Sequence, residues 1–141
     1  SETVNEIHMM IQRYGLERNI DLLGAVYDFN EKISMLASGK LFVHPSYEEN
    51  WAIVIGEAMA AGLPVVCYDL PAIRPVWLDN VVWVPKGDRE AFAKAILHML
   101  DNEEERDCLS SKGQRFVRRY SWQEIAEREL RIITDPIGRG T

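Results

Sequence analysis

One stretch, residues 41–69, constrains the fold of this chain more than any other segment. Its pattern predicts a strand over 41–44, a polar turn over 45–50, a helix that ends at Gly62, and a second strand over 64–68. Two strands joined by a crossover helix form a βαβ unit, in which the strands run parallel. The stretch therefore predicts an α/β fold built on a parallel sheet.

Glu57, in the predicted helix of this unit, has unusual sequence neighbours. Glu57 is the only charged residue between Glu49 and Asp69. At helical spacing it shares a face with four apolar residues, Ile53, Val54, Ala60 and Ala61. Because an ionised carboxylate among apolar neighbours is costly without a hydrogen-bond donor, we predict a donor at this point, either within the protein or on a ligand.

The segments on either side of this unit alternate between short apolar strands and amphipathic helices. Further strands are predicted over residues 20–26 and 81–84. A first helix is predicted to end at Gly15, and a second one is capped by Asn30 and ended by Gly39. After the central unit, a helical turn is predicted over 76–78, then a helix capped by Asp88 that reaches Leu100, and then a helix over 103–119. A last helix is predicted from the capping box of Ser121 and Glu124 to about residue 133. This alternation indicates a Rossmann-like parallel sheet with helices on both faces.

Composition excludes several functional classes. The 141 residues suffice for one domain, which we expect over residues 1–133 with a loose tail over 134–141. A net charge of −6 provides no field to attract nucleic acid or an anionic membrane. The longest apolar run, residues 58–67, is too short to span a bilayer, and the N-terminus lacks the order of a signal peptide.

The cysteines and histidines are scattered along the chain. Cys67 lies in an apolar strand and Cys108 in a charged helix, and neither belongs to a CxxC pattern, so we expect a reducing, cytoplasmic compartment. His8, His44 and His98 form no pattern typical of metal ligands. We interpret them as packing or surface residues and predict no metal site.

In open parallel sheets, ligands bind beyond the carboxyl ends of the strands. The loops to search therefore begin at Gly24, His44, Asp69 and Pro85. The 45–52 loop is the first candidate, because free N–H groups near residues 51–53 and the positive end of the helix dipole would face a ligand there. Phosphate is the usual ligand of this arrangement.

Two neighbouring helix residues support this prediction, and each has a plainer alternative. Gly56 inside a helix costs about 0.5–1 kcal/mol relative to alanine, so we expect backbone or ligand to approach closely there. Packing of the helix against the sheet would explain it equally. The carboxylate of Glu57 can accept hydrogen bonds from a diol such as ribose, and a salt bridge to a buried arginine is the alternative.

The segment from residue 45 to residue 69 resembles the nucleotide-sugar signature of the retaining glycosyltransferases with two Rossmann-like domains, the GT-B fold. That signature is approximately PS-x-x-E-G-F-G-x-x-x-x-E-A-M-A-x-G-x-P-V-V, in a family that includes mannosyltransferases, sucrose synthases and bacterial glycogen synthases. The matching residues here are Pro45, Ser46, Glu49, Glu57, Ala58, Met59, Ala60, Gly62, Pro64, Val65 and Val66. Glu49 and Glu57 reproduce the E-x7-E spacing of the family.

The resemblance implies roles for the matching positions. Glu57 would bind the ribose hydroxyls of the donor nucleotide, and Glu49 would lie near the transferred sugar as the catalytic carboxylate. The backbone of Ala52, Ile53 and Val54 would contact the diphosphate. The donor-binding loop would include Ser46, Asn50 and Trp51. The base of the nucleotide would be bordered by Gly24, Ala25 and Val26. No cofactor is implied beyond the nucleoside-diphosphate sugar donor.

The chain also departs from the family pattern. Asn50, Trp51 and Ala52 replace the G-F-G of the signature, so side chains stand at both glycine positions. Ala72 and Pro75 stand where the family often has Gly and Glu. The two βα units that precede this region in the family, with their diphosphate-binding cations, and the acceptor domain are absent. We therefore expect the later part of a C-terminal donor domain, inactive on its own.

The resulting hypothesis is the donor-binding part of a retaining glycosyltransferase. Its partners would be a nucleotide-sugar and the N-terminal acceptor domain of the same protein, in the cytoplasm, with any peripheral membrane contact made by the absent part. A nucleotide-sugar epimerase is an alternative that the Pro-Ser and E-x7-E combination disfavours. A non-catalytic nucleotide-sugar-binding module is a second alternative, favoured by the altered turn at Asn50 to Ala52.

Overall fold

The computed structural model describes residues 2–119 of the chain. The chain divides into two compact units, residues 1–32 and residues 33–141. The predicted helix beginning at Ser121 and the predicted tail over 134–141 lie outside the described residues.

The first unit begins with α1 (Glu2–Arg13), which confirms the predicted N-terminal helix. Gly15 has a left-handed φ of 64° just after it, as expected at a helix stop. The predicted strand over residues 20–26 is wrong, because these residues form neither helix nor strand. Gly24 has a φ of 70°, which interrupts an extended backbone, and Leu23 is 65% exposed.

The second helix, α2 (Phe29–Ser38), is present, but its cap was predicted wrongly. The backbone N–H of Glu31 donates to Oδ1 of Asp28 at 2.8 Å, so Asp28 is the capping side chain and Asn30 lies inside the first turn. Both residue types favour this position, and the sequence alone does not distinguish two of them two residues apart. The helix ends before Gly39, as predicted.

The second unit contains a three-stranded sheet of β1 (Phe42–His44), β2 (Val65–Tyr68) and β3 (Val82–Val84). The strands lie in the order β1-β2-β3 and both pairs are parallel, which confirms the βαβ prediction. His44 pairs with Cys67, and Cys67 pairs with Trp83, so the three strands end at one edge of the sheet.

Four helices accompany this sheet among the described residues: α3 (Ile53–Ala60), α4 (Arg74–Trp77), α5 (Arg89–Asp101) and α6 (Glu103–Arg119). All four were predicted, with small differences at their ends. Asp88 caps α5 as expected, since its side chain accepts the N–H of Ala91 at 2.9 Å. Gly62 follows α3 with a φ of 86°.

The core of the unit is centred on β2, whose four residues are all buried. Because successive side chains of a strand point to opposite faces, burial of all four means that both faces of β2 are covered. The largest fully buried side chains around it are Ile55, Met59, Ile73 and Met99. Burial, aided by the nearby Asp69 carboxylate, raises the pKa of the Cys67 thiol to about 12.

Trp77 connects α4 to the turn that precedes α3. Its indole N–H donates to the carbonyl of Trp51 at 3.0 Å, and its ring lies edge-on to Phe116 with centroids 6.3 Å apart. A Cβ built on Gly56 would lie 2.8 Å from the ring. Gly56 therefore allows close packing of the Trp77 side chain against α3. The group that approaches this glycine is a side chain, neither the backbone or ligand that we expected nor the sheet of the alternative.

No helix within residues 2–119 combines the length and the apolar character needed to cross a membrane.

Replacing Gly56 with alanine is predicted to destabilise the protein. Because a Cβ would lie 2.8 Å from the rigid indole, overpacking costs about 2–3 kcal/mol and exceeds the gain of about 1 kcal/mol in helix propensity. We expect the free energy of unfolding to fall by about 1–2 kcal/mol, measured by denaturant titration of the full-length protein.

Gly113→Ala is the matched control for this prediction. Gly113 also lies inside a helix, but a Cβ there would meet Cγ of the flexible Met59 side chain at 3.1 Å. We expect stability within about 1 kcal/mol of wild type for this variant. Equal stability of the two variants would contradict the role assigned to Trp77.

Candidate functional site

A pocket of about 580 Å³ lies where the three parallel strands end. Its lining comes from three loops, one after each strand: residues 47–50 after β1, residues 70–72 after β2, and Lys86 after β3. The rule that ligands bind beyond the carboxyl ends of parallel strands selects this edge.

Glu49 lines this pocket, and its carboxylate contacts a histidine side chain. Its Oε1 lies 2.7 Å from Nε2 of His44, the last residue of β1. Both side chains are largely shielded, with 24% of Glu49 and 18% of His44 exposed. The carboxylate therefore has a defined position at the wall of the pocket.

The polar turn between β1 and α3 places the other predicted loop residues. Ser46 Oγ donates to the carbonyl of Glu48 at 2.8 Å, which tightens the turn rather than directing the hydroxyl to a ligand. Asn50 lines the pocket together with Glu49. Ser46 is not among the residues that line it.

Ala52 adopts the left-handed conformation, with φ 48° and ψ 56°, immediately before α3. A non-glycine residue pays roughly 1–2 kcal/mol for this conformation. In the resemblance described above, Ala52 corresponds to the second glycine of G-F-G, and its backbone adopts the conformation that glycine favours. Its methyl group is buried, with 6% of the residue exposed.

The N-terminus of α3 is accessible at the same edge. The helix begins at Ile53, and its first N–H groups, which include those of Ile53 and Val54, have no acceptor within the helix. Trp51 and Ile53 are each 53% exposed. Residues 51–54 are not among those that line the pocket, and the positive end of the helix dipole lies at the same edge of the sheet as the pocket.

Glu57 lies in the second turn of α3 and is half-buried. The apolar residues that share its face do not form a buried surface, since Ile53 and Ala60 are exposed. The core face of α3 consists instead of Ile55, Ala58 and Met59, each at most 1% exposed. Glu57 also has an interaction partner within the chain, so its burial alone does not require a ligand.

The residues predicted to border the base, Gly24, Ala25 and Val26, belong to the first unit. They lie between α1 and α2 in a segment without regular secondary structure. Their assignment stays a prediction.

Aromatic packing supports one wall of the pocket. Tyr47 packs edge-on against Tyr68 at 5.4 Å between centroids, and Tyr68 packs in the same way against Phe92 of α5 at 4.9 Å. Burial, with a smaller contribution from the hydrogen bond to Tyr47, raises the pKa of the Tyr68 hydroxyl. Lys86 Nζ lies 5.9 Å from the centroid of the Tyr47 ring, which holds its ammonium group beside the pocket.

Sequence reasoning missed three features of this site. Tyr47 and Lys86 line the pocket, and both could have been found because each lies in a loop that follows a strand. The third feature is the contact between the imidazole of His44 and the carboxylate of Glu49, since His44 was interpreted only as a packing or surface residue. No residue pattern signals this contact, which depends on how the 45–50 loop folds back over the strand.

The described residues 2–119 contain no group of three or more His, Cys, Asp or Glu side chains that could hold a metal ion.

A family model for the glycosyl transferases group 1 matches residues 1–116 of the chain. The chain belongs to this family. The parallel sheet with its helices matches the domains of GT-B glycosyltransferases of known structure.

Among relatives of this glycosyl transferase domain, the phosphatidyl-myo-inositol mannosyltransferase of Mycobacterium leprae is 37% identical over 131 residues, which cover 91% of the chain and 35% of the relative. The structure of the sucrose-phosphate synthase from Thermosynechococcus elongatus is similar with a TM-score of 0.77 and 25% identity, covering 93% of the chain and 33% of that protein. Anabaena HepE in complex with UDP shares the fold with a TM-score of 0.82 and 24% identity, covering 94% of the chain and 37% of that protein. The chain thus spans about a third of the length of these proteins.

Substitutions at Ala52 are predicted to report on its left-handed backbone. Ala52→Gly relieves the strain but loses a buried methyl group and gains unfolded-state entropy, so we expect stability within about 1 kcal/mol of wild type. Ala52→Val places a β-branched side chain at positive φ, and we expect a loss of about 2 kcal/mol or more. Denaturant titration of the full-length protein measures both, and a Val variant as stable as the Gly variant would contradict the observed turn.

Proposed function

We propose that this chain is the donor-binding part of a retaining glycosyltransferase, which transfers a sugar from a nucleoside-diphosphate sugar to an acceptor. The proposal is based on three features that lie at one edge of a parallel sheet. A pocket lined by Glu49 and Asn50 opens there, the N-terminus of α3 is accessible, and Ala52 keeps a left-handed backbone. Membership of the glycosyl transferases group 1 supports the same activity.

Each part of a nucleotide-sugar would meet chemically suitable groups at this edge. The diphosphate would accept hydrogen bonds from the first N–H groups of α3 and gain from the helix dipole. The hydroxyls of the sugar would donate to Glu49 and Asn50 in the pocket, and the ribose hydroxyls would donate to Glu57. Ser46 and Trp51 would shape the loop around these contacts.

The transfer would be driven by departure of the diphosphate. The bond between the anomeric carbon and the β-phosphate oxygen breaks, and the diphosphate leaves with the electron pair. The acceptor oxygen bonds to the anomeric carbon on the same face, and its proton passes to the leaving phosphate oxygen. The protein would orient the reactants and stabilise charge, with Glu49 close to the positive charge that develops on the sugar.

The donor is a substrate, and we propose no resident cofactor. The acceptor would be positioned by an N-terminal domain of the same protein, since the chain spans only about a third of its relatives. Two free cysteines, one of them buried, fit the reducing compartment of the cytoplasm.

A non-catalytic nucleotide-sugar-binding module is the alternative from a different class. It was favoured by the loss of the glycine turn at residues 50–52. Because Ala52 adopts the conformation that glycine favours, that reason is weakened.

Titration with UDP and GDP tests the proposal in the full-length protein. We expect one of the two nucleotides to bind, and we expect Glu57→Gln to weaken that binding by about tenfold, because it replaces a charge-assisted hydrogen bond with a neutral one. Glu90→Gln is the control, since Glu90 is an exposed helix residue that pairs with Lys94.

Absence of binding by either nucleotide at millimolar concentration would refute the donor site. Binding without consumption of any nucleotide-sugar, across a panel of donors and acceptors, would favour the non-catalytic module instead.

A further inference from the structure

The contact between His44 and Glu49 is directed and shielded. Nε2 of the imidazole lies 2.7 Å from Oε1 of the carboxylate, a normal length for a charge-assisted hydrogen bond. About three quarters or more of each side chain is removed from solvent, with 18% of His44 and 24% of Glu49 exposed. Water therefore competes less for this hydrogen bond than it does at an exposed pair.

The imidazole is held on its own side by the sheet. His44 is the last residue of β1 and pairs with Cys67 of β2, so its backbone is part of the ladder. Its ring stacks on that of Phe42 with 6.2 Å between centroids and 15° between the planes. The position of the imidazole is thus restrained by the sheet and by the ring of Phe42, whereas Glu49 belongs to the loop that follows β1.

The hydrogen bond to His44 uses one oxygen of the Glu49 carboxylate, and the other oxygen can accept a hydrogen bond from a ligand. Oε1 is directed to His44, and Glu49 also lines the pocket. Within residues 2–119, His44 is the one side chain with a hydrogen bond to Glu49. The imidazole accordingly fixes the rotation of the carboxylate, and Oε2 remains to accept a hydrogen bond from a sugar hydroxyl in the pocket.

We propose that His44 is a positioning residue, which acts by holding the carboxylate of Glu49 toward the transferred sugar. This inference rests on the proposed function and deepens it. A second-layer group that orients a reacting group through a hydrogen bond typically matters for rate, since a misplacement of 1 Å can cost about 100-fold. A histidine that merely packed under the loop would affect stability without affecting the use of the donor sugar.

Two substitutions in the full-length protein separate the hydrogen bond from the packing. His44→Leu removes the donor and keeps an apolar side chain of similar reach, and we expect kcat/KM for the donor sugar to fall about 10- to 100-fold. His44→Gln retains an N–H donor, and we expect it to recover kcat/KM to within about fivefold of wild type. The dissociation constant of the nucleotide without its sugar should stay within about twofold, because Glu49 lies at the sugar.

His98→Leu is a matched control. His98 makes the same kind of contact, Nε2 to Oε2 of Glu105 at 2.6 Å, but on an exposed surface and outside the pocket lining. We expect wild-type kcat/KM for this variant. Thermal unfolding midpoints of all variants distinguish a loss of fold from a loss of positioning.

A double-mutant cycle tests whether His44 acts through Glu49. Once Glu49→Gln is present, adding His44→Leu should cost less than about twofold, since the group that the histidine positions is already impaired. Independent, multiplicative losses would overturn the proposal. So would wild-type kcat/KM in His44→Leu, or failure of the folded Gln variant to recover activity.

These outcomes are distinct from a failure of the proposed function. If wild type transfers sugar and His44→Leu does so equally well, the positioning role is wrong and the donor site stands. If wild type binds no nucleotide and consumes no nucleotide-sugar, the donor site is wrong and the positioning role falls with it.

Discussion

The hydrogen bond from the indole N–H of Trp77 to the carbonyl of Trp51 joins the segment after β2 to the turn before α3. Around it, Gly56 leaves room for the ring, and Ala52 takes the left-handed conformation from which the helix starts. The bond therefore anchors the turn before α3 to the segment that follows β2, whose first residues line the pocket.

A second constraint acts from the sheet itself. His44 ends β1 inside the hydrogen-bonded ladder, and its imidazole contacts Glu49 in the loop. Tyr47, beside it, packs against Tyr68 at the end of β2. The loop that carries the acidic residues is thus attached to rigid strands on both sides, which is the support that a preorganised binding site needs.

Much of this architecture could be predicted from the sequence, because it depends on local patterns. The apolar runs and the glycine at position 62 predict the βαβ unit, and Asp88 predicts the start of α5. The apolar run over residues 20–26 carries the same pattern, yet Gly24 breaks it, because the pattern records hydrophobicity and not backbone conformation. The contact of His44 with Glu49 was beyond prediction, since it depends on how the loop folds over the strand. The left-handed Ala52 is signalled only through the resemblance, which has a glycine at this position.

The proposed function depends above all on the binding of a nucleoside-diphosphate sugar along this edge. A crystal structure of the full-length protein with such a donor tests it most directly. We predict diphosphate oxygens within about 3 Å of the backbone nitrogens of Ile53 or Val54, with the sugar against Glu49 in the pocket. A donor bound elsewhere on the protein, with this pocket empty, would contradict the account.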